Sequence, residues 1–121
     1  MLTDEDREYI LDEFLKNILH ISDKKYQERI WIRGEGPECD DFTETVCHFF
    51  DDGNPILAKY KDYKISEDQY QLLKKFHDEF EAFADSDERE YLEKDFIDTS
   101  EWTRITEMAK EVLEAFNYRS E

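Results

Sequence analysis

The sequence predicts an all-α fold, a single-domain bundle of four to six helices with one short extended segment. Apolar residues recur at three- and four-residue spacing in four stretches of the 121-residue chain. A Ser, Thr or Asp precedes each of these stretches at a position that can cap a helix. The composition, 39% hydrophobic and 15% aromatic, suffices for one core, and no linker is long enough to divide residues 1–121 into two domains.

The first helix is predicted from Thr3 to about His20. Thr3 can cap it, and Asp6 stands where a capping box places its acceptor. The apolar stripe of this helix consists of Ile10, Leu11, Phe14, Leu15, Ile18 and Leu19. Residues 21–29 are polar and ambiguous, and Ser22 is a candidate cap for one helical turn.

The extended segment is IWIR at residues 30–33, a β-branched and aromatic run typical of a strand. Gly34 stops this run, and Gly36 and Pro37 continue the turn. Because one strand cannot pair with itself, we expect either a second short strand elsewhere or an extended segment that packs alone.

The next helix is predicted to begin at Asp41, with Glu44 completing a capping box, and to end at Gly53-Asn54-Pro55. Its apolar face consists of Phe42, Val46, Phe49 and Phe50. A more polar face carries Asp40, Glu44, Cys47 and Asp51. Residues 56–64, ILAKYKDYK, are the one locally basic stretch, and they predict a single helical turn folded back on this helix.

The strongest predicted helix follows Ser66, its cap, with Gln69 completing a capping box. We expect it to lie centrally, because its apolar face is wide and aromatic: Leu72, Leu73, Phe76, Phe80 and Phe83. Asp85-Ser86-Asp87 breaks it. A short helix is predicted over residues 88–94.

The last helix is predicted to begin at Asp98, Thr99 or Ser100, after a link anchored by Phe96 and Ile97. Its stripe consists of Trp102, Ile105, Ala109, Val112 and Phe116, with Met108 and Leu113 beside it. Asn117 marks the expected end.

The charge balance is lopsided, with 33 acids against 16 Lys plus Arg and a formal net charge of −17. Such a surface serves solubility, or it steers a basic partner and raises its rate of association. Direct binding to nucleic acid or to an anionic membrane is disfavoured, since both need positive charge. The N-terminal sequence MLTDEDREYI has no basic n-region and no long apolar run, so we expect a cytoplasmic protein.

The sequence predicts no catalytic residue, no metal site and no cofactor. Cys39 and Cys47 lie eight residues apart, about 12 Å along a helix, and therefore predict free thiols. They lack the short paired spacing of zinc ligands, and nothing nearby activates a thiol. With 33 acids, carboxylate pairs for acid–base chemistry remain open.

The segment from residue 30 to residue 53 concentrates acids next to a tryptophan, which predicts a surface for a basic protein. The candidate contact residues are Trp31, Glu35, Glu38, Asp40, Asp41, Glu44, Asp51 and Asp52. Trp31 is a candidate anchor, and the alternative is that its ring belongs to the core. A competing acidic surface on the last helix carries Glu101, Glu107, Glu111 and Glu114.

Two strings, WIRGEGPECDDFTETVCHFFDDGNP and DYKISEDQYQLLKKFHDEFEAF, resemble the immunity proteins of contact-dependent growth inhibition systems, specifically those paired with ribonuclease toxins. The resemblance covers roughly residues 31–83, with a looser match on the last helix. It implies an antitoxin that binds one cognate toxin domain, a basic ribonuclease, and neutralises it, in this family usually by covering the active site; the sequence leaves binding to a neighbouring exosite open. The alternative is an acidic, nucleic-acid-mimicking regulator of another basic protein.

Overall fold

The computed structural model describes residues 2–35, 42–85 and 96–118. In these ranges the chain is helical and contains no strand, which confirms the all-α prediction. The long helices are α1 (Asp4–Ser22), α3 (Phe42–Ala58), α4 (Glu67–Ala84) and α5 (Ser100–Ala115). The short ones are α2 (Lys24–Tyr26), a π-helix (Gln27–Ile32) and a 3₁₀ turn (Tyr60–Tyr63).

Aromatic side chains fill the centre of the bundle. α1 and α4 both pack against α5, and α3 packs against α1 and α4. Phe42 lies among five rings, with centroids between 4.9 and 6.2 Å away and edge-on orientations, those of Trp31, Phe80, Phe83, Phe96 and Trp102. Such pairs contribute about 0.5–1.5 kcal/mol each beyond the burial of their area. The start of α3 is therefore fixed to the middle of the core.

The predicted caps of α1 and α4 are confirmed. The Asp6 N–H donates to Thr3 Oγ1 (3.1 Å), and the Thr3 N–H donates to Asp6 Oδ2 (3.0 Å). Ser66 and Gln69 exchange the same two bonds at 3.1 and 2.8 Å. Of the three candidate caps for α5, the structure uses Thr99, whose Oγ1 accepts from the Trp102 N–H at 3.2 Å.

The prediction that Ser22 caps a turn is wrong, because α1 continues to this residue. The Ser22 hydroxyl donates to the Leu19 carbonyl at 2.7 Å, and so it serves the end of α1. Asp23 caps α2 instead, and its Oδ1 accepts from the Tyr26 N–H at 3.1 Å.

The prediction that residues 30–33 are extended is also wrong, since the π-helix runs to Ile32 and Arg33 is helical in conformation. An unpaired strand would leave its backbone groups without partners, whereas the helix satisfies them locally. The Arg33 N–H, for example, donates to the Glu28 carbonyl, five residues back, at 3.1 Å. Gly34 then turns the chain with φ +63°, a conformation that favours glycine.

The predicted end of α3 at Gly53-Asn54-Pro55 is wrong, because the helix continues to Ala58. Two contacts and one buried side chain explain why the helix continues past these residues. Gly53 is buried against the Phe14 ring of α1. Asn54 Oδ1 lies 2.9 Å from Nε2 of His77 on α4. Ile56 is fully buried. The 3₁₀ turn that follows packs against α1 and α3, as the basic stretch predicted.

We expect Gly53→Ala to lower the free energy of unfolding by about 1–2 kcal/mol, although alanine is the better helix former. A Cβ at this position would lie 2.9 Å from Phe14 Cε1, so the two helices would have to move apart. Urea denaturation measures the effect. Phe14→Leu in the same chain serves as the control, because it removes the ring that clashes, and the two losses should then not add. Simple additivity would contradict the close approach.

Three predictions about local structure lie outside the described residues. These are the turn at Gly36 and Pro37, the capping of α3 by Asp41, and the short helix over residues 88–94. At the end of α4, Asp85 is the C-cap as expected. Phe96 and Ile97, predicted to anchor the link before α5, are both buried.

Candidate interaction surface

A cleft of about 310 Å³ opens between α1 and α3. Three carboxylates line this cleft, that of Glu13 from α1 and those of Glu44 and Asp52 from α3. The spacing explains the convergence, because residues four apart share one face of a helix, as do Glu44, His48 and Asp52. The remaining lining residues are Lys16, Asn17, His20, Tyr26 and His48.

The negative charge in this cleft, which we call the α1–α3 cleft, is only partly compensated. His48 Nε2 lies 3.4 Å from Glu44 Oε2. Partial burial raises the pKa of the Asp52 carboxyl above its usual value. His48 opposes this rise in the pKa of Asp52, whereas the carboxylates of Asp51 and Glu13 add to it. Asp52 therefore carries its charge at a cost that a nearby cation would reduce.

Asn17 contributes a polar group that lacks a partner. Its Nδ2 donates to the Thr45 carbonyl at 3.5 Å, which is a long hydrogen bond. Its Oδ1 is buried and accepts no hydrogen bond within residues 2–35, 42–85 and 96–118. Most buried polar atoms in folded proteins are paired, so an unpaired one beside a cleft requires an explanation.

We expect Asp52→Asn to stabilise the fold at pH 7, raising Tm by about 1–2 °C. The folded-state pKa of Asp52 is raised, so the folded protein disfavours the charge that Asp52 carries at pH 7. Below the pKa of the unfolded chain, Asp52 is protonated in both states, and the difference between the two proteins should disappear. Thermal unfolding at pH 7 and pH 3 measures both. A gain of equal size at the two pH values would contradict the charge as its cause.

Three of the predicted contact residues lie together on α3. Glu44 and Asp51 are exposed, and Asp52 is half-buried. Glu35 is exposed as well, but it lies beyond the π-helix, where its carboxylate pairs with the Arg33 guanidinium. The other three acids of the predicted set, Glu38, Asp40 and Asp41, lie outside the described residues.

The prediction of Trp31 as an anchor is wrong, because its ring belongs to the core. Trp31 is 6% exposed, and its ring centroid lies 6.0 Å from those of Phe42 and Trp102. The π-helix turns this side chain inward together with Ile30, which is 2% exposed. A partner cannot reach the ring without unfolding the segment.

The competing surface on α5 has a different electrostatic character. Its four acids, Glu101, Glu107, Glu111 and Glu114, are exposed. Cations are interleaved with them, since Lys110 Nζ lies 3.6 Å from Glu107 Oε1 and Arg104 Nη2 lies 3.3 Å from Glu79 Oε1 on α4. Lys110 therefore compensates one of the four acids, and Arg104 pairs with an acid of α4, so the charge on that face is only partly compensated.

Sequence reasoning did not find the α1 side of the cleft. Glu13, Asn17 and His20 follow each other at four and three residues, which places them on one face of α1. The spacing therefore predicts that these three side chains share a face. It does not predict that this face of α1 lies beside α3, because that depends on the packing of Gly53 against Phe14.

Elsewhere in the described ranges, little points to other chemistry. Cys47 is an exposed free thiol, as predicted, and Cys39 lies outside these ranges. No three His, Cys, Asp or Glu side chains within them are arranged to hold a metal ion. No helix there combines the length and the apolar character needed to cross a bilayer.

Comparison with protein-family models, with curated proteins and with solved structures found no match for the chain. The resemblance over residues 31–83 therefore stays a prediction.

Proposed function

We propose that the protein is an immunity protein, which binds and neutralises a cognate ribonuclease toxin domain of contact-dependent growth inhibition in the cytoplasm of the producing cell. The observation that carries the proposal is the exposed acidic face of α3, with Glu44, Asp51 and Asp52, next to Glu13 of α1. The formal net charge of −17 also attracts a basic partner, and it does so at longer range.

A domain that cleaves RNA needs positive charge in its cleft to hold phosphates. Carboxylates offered at the same positions compete with those phosphates, and a carboxylate pairs with arginine through two parallel hydrogen bonds. Long-range attraction between a −17 protein and a basic domain also raises the rate of association. Rapid capture matters because each free toxin molecule turns over many RNA molecules.

The scaffold behind the acidic face is well suited to tight binding. Phe49 and Ile56 of α3 are fully buried, so the helix backbone is fixed before a partner arrives. Side chains mounted on a packed helix lose less freedom on binding than side chains on a loop. Complete protection of a cell requires a dissociation constant on the order of nanomolar or below, about −12 kcal/mol.

The test is co-expression of this chain with a candidate toxin domain, namely a basic ribonuclease domain encoded next to it. We expect a one-to-one complex in size-exclusion chromatography and complete loss of RNA cleavage at one equivalent of the chain. A ribonuclease domain from an unrelated system is the control and should remain active. Inhibition at far less than one equivalent, or no complex with any neighbouring basic domain, would contradict stoichiometric binding.

A further inference from the structure

We infer that His48 is a pH switch on the proposed contact surface, and that its protonation weakens the binding of a basic partner as the pH falls. This inference rests on the proposed function, because it concerns the regulation of the acidic face of α3. It goes beyond that function, since it predicts that the strength of binding depends on pH and names the side chain responsible.

His48 lies between two of the carboxylates on which the proposed function depends. Residues four apart share one face of a helix, and His48 is four residues from both Glu44 and Asp52. Its Nε2 lies 3.4 Å from Glu44 Oε2, and these two side chains are 65% and 60% exposed. A proton gained by the imidazole therefore adds a positive charge directly to the surface that a partner would contact.

Other titratable and charged groups surround this imidazole in the α1–α3 cleft. They are Glu13, Lys16 and His20 of α1, Tyr26 of α2, and Glu44 and Asp52 of α3. Burial raises the pKa of the Asp52 carboxyl and His48 lowers it, so these two groups are electrostatically coupled. His20 is the second imidazole of the cleft, and its ring stacks on that of Tyr26 with the centroids 3.9 Å apart. Variants of both histidines are therefore needed to separate their effects.

His77, the third histidine of the chain, lies on the core side of α3. Its side chain is 11% exposed, and its ring packs against those of Phe49 and Phe50. Its two ring nitrogens lie 2.9 Å from Asn54 Oδ1 and 3.2 Å from Asp78 Oδ1. A change of charge on His77 would therefore act on the packing of α4 against α3 and not on the exposed acidic face.

Proton binding and partner binding oppose each other at His48. Histidine is the side chain type that ordinarily changes its charge between pH 5 and 8. Once His48 is protonated, the group formed by Glu44, His48 and Asp52 carries one negative charge instead of two, and a basic partner is attracted less strongly. We therefore expect the affinity for a basic partner at low salt to be about fivefold higher at pH 7.5 than at pH 5.5.

Two substitutions fix the charge at this position. His48→Gln is neutral at every pH and His48→Lys is positive throughout this range, and both replacements are good helix formers, so the fold should be retained. The probe is hexa-arginine amide, titrated into ¹⁵N-labelled protein while the backbone amide signals of residues 44–52 are followed. We expect saturable shifts in the unchanged protein, with a dissociation constant on the order of 0.1 mM at pH 7.5.

His48→Gln should retain most of its affinity for the probe at pH 5.5, and His48→Lys should bind at pH 7.5 as weakly as the unchanged protein does at pH 5.5. Asp52 also loses negative charge as the pH falls, but it does so in His48→Gln as well. The difference between the unchanged protein and His48→Gln therefore reports the imidazole alone.

Three results would overturn the inference: no saturable shift in residues 44–52, the same pH dependence in His48→Gln as in the unchanged protein, or loss of that dependence in His20→Gln alone. The same variants, measured with the toxin domain, separate the inference from the proposed function. A tight toxin complex that neither substitution of His48 alters at pH 5.5 or 7.5 would contradict the switch and leave the immunity function standing. The expected pH dependence with hexa-arginine but no toxin complex would leave the switch standing and contradict the function.

Discussion

Replacing Glu44 and Asp51 together by lysine is expected to weaken binding of the basic ribonuclease domain about 100-fold at low salt. Both side chains are exposed on α3, so each reversal changes attraction into repulsion at the proposed contact. Reversed charges at an interface are worth about 1–2 kcal/mol each. The loss should shrink at high salt, because the screening length falls from about 10 Å at 0.1 M to about 3 Å at 1 M.

The matched control is Glu111→Lys with Glu114→Lys on α5, which gives the same net charge on a different face. If the acidic face of α3 is the contact, the α5 variant should lose only the part of the association rate that depends on total charge. Surface plasmon resonance at several salt concentrations separates association from dissociation, and circular dichroism confirms that both variants are folded. Equal losses of affinity in the two variants would show that α3 contributes only through the net charge of the protein. A larger loss of affinity in the α5 variant would show that the contact surface lies on α5.

Features that depend on near neighbours in the chain could be predicted from the sequence. In the Thr3–Asp6 and Ser66–Gln69 capping boxes the two partners lie three residues apart, so both can be recognised in the sequence. The buried stripe of α4 follows from spacing in the same way. Leu73, Phe76 and Phe80 lie where a helix of 3.6 residues per turn would place them, and all three are fully buried.

Features decided by distant residues could not be predicted. The IWIR segment has the composition of a strand. It lies in the π-helix that begins at Gln27, and the Gln27 side chain is hydrogen-bonded to Trp102, 75 residues away in the sequence. Gly53 and Pro55 have the composition of a helix end, but the packing of Gly53 on Phe14 and the burial of Ile56 keep α3 continuous. In both cases tertiary contacts override a local preference of about 1–3 kcal/mol.

The candidate site likewise has a part that could be predicted from the sequence and a part that could not. The acids of α3 could be predicted because four-residue spacing places Glu44 near the face that also carries Asp51 and Asp52. The contribution of Glu13 and Asn17 depends on which face of α1 lies next to α3, and single-sequence reasoning does not supply that. Trp31 illustrates the reverse error. Proximity to acids in the sequence suggested an exposed anchor, whereas the π-helix turns the ring into the core.

Gln27→Leu is expected to lower the free energy of unfolding by about 3 kcal/mol, a large share of the stability of a small domain. Gln27 is fully buried and every polar atom of its side chain is used. Its Nε2 donates to the carbonyls of His20 (3.0 Å) and Ile21 (2.8 Å), and its Oε1 accepts from Trp102 Nε1 at 2.8 Å. Leucine has a similar volume, so the loss comes from buried polar groups left without partners rather than from a cavity. The surface control is Gln71→Ala, which removes an exposed bond to Glu67 (2.9 Å) and should change stability by less than about 0.5 kcal/mol.

A double-mutant cycle tests whether the bond between Gln27 and Trp102 is the cause. Trp102→Phe keeps an aromatic ring in the core but removes the indole N–H that Gln27 accepts. When both residues are replaced, no orphaned indole donor remains, and the combined loss should fall short of the sum of the two single losses by about 1 kcal/mol or more. Additive losses would show that Gln27 stabilises the fold only through the carbonyls at the end of α1. In that case the bond to α5 would not be what holds the π-helix against the bundle.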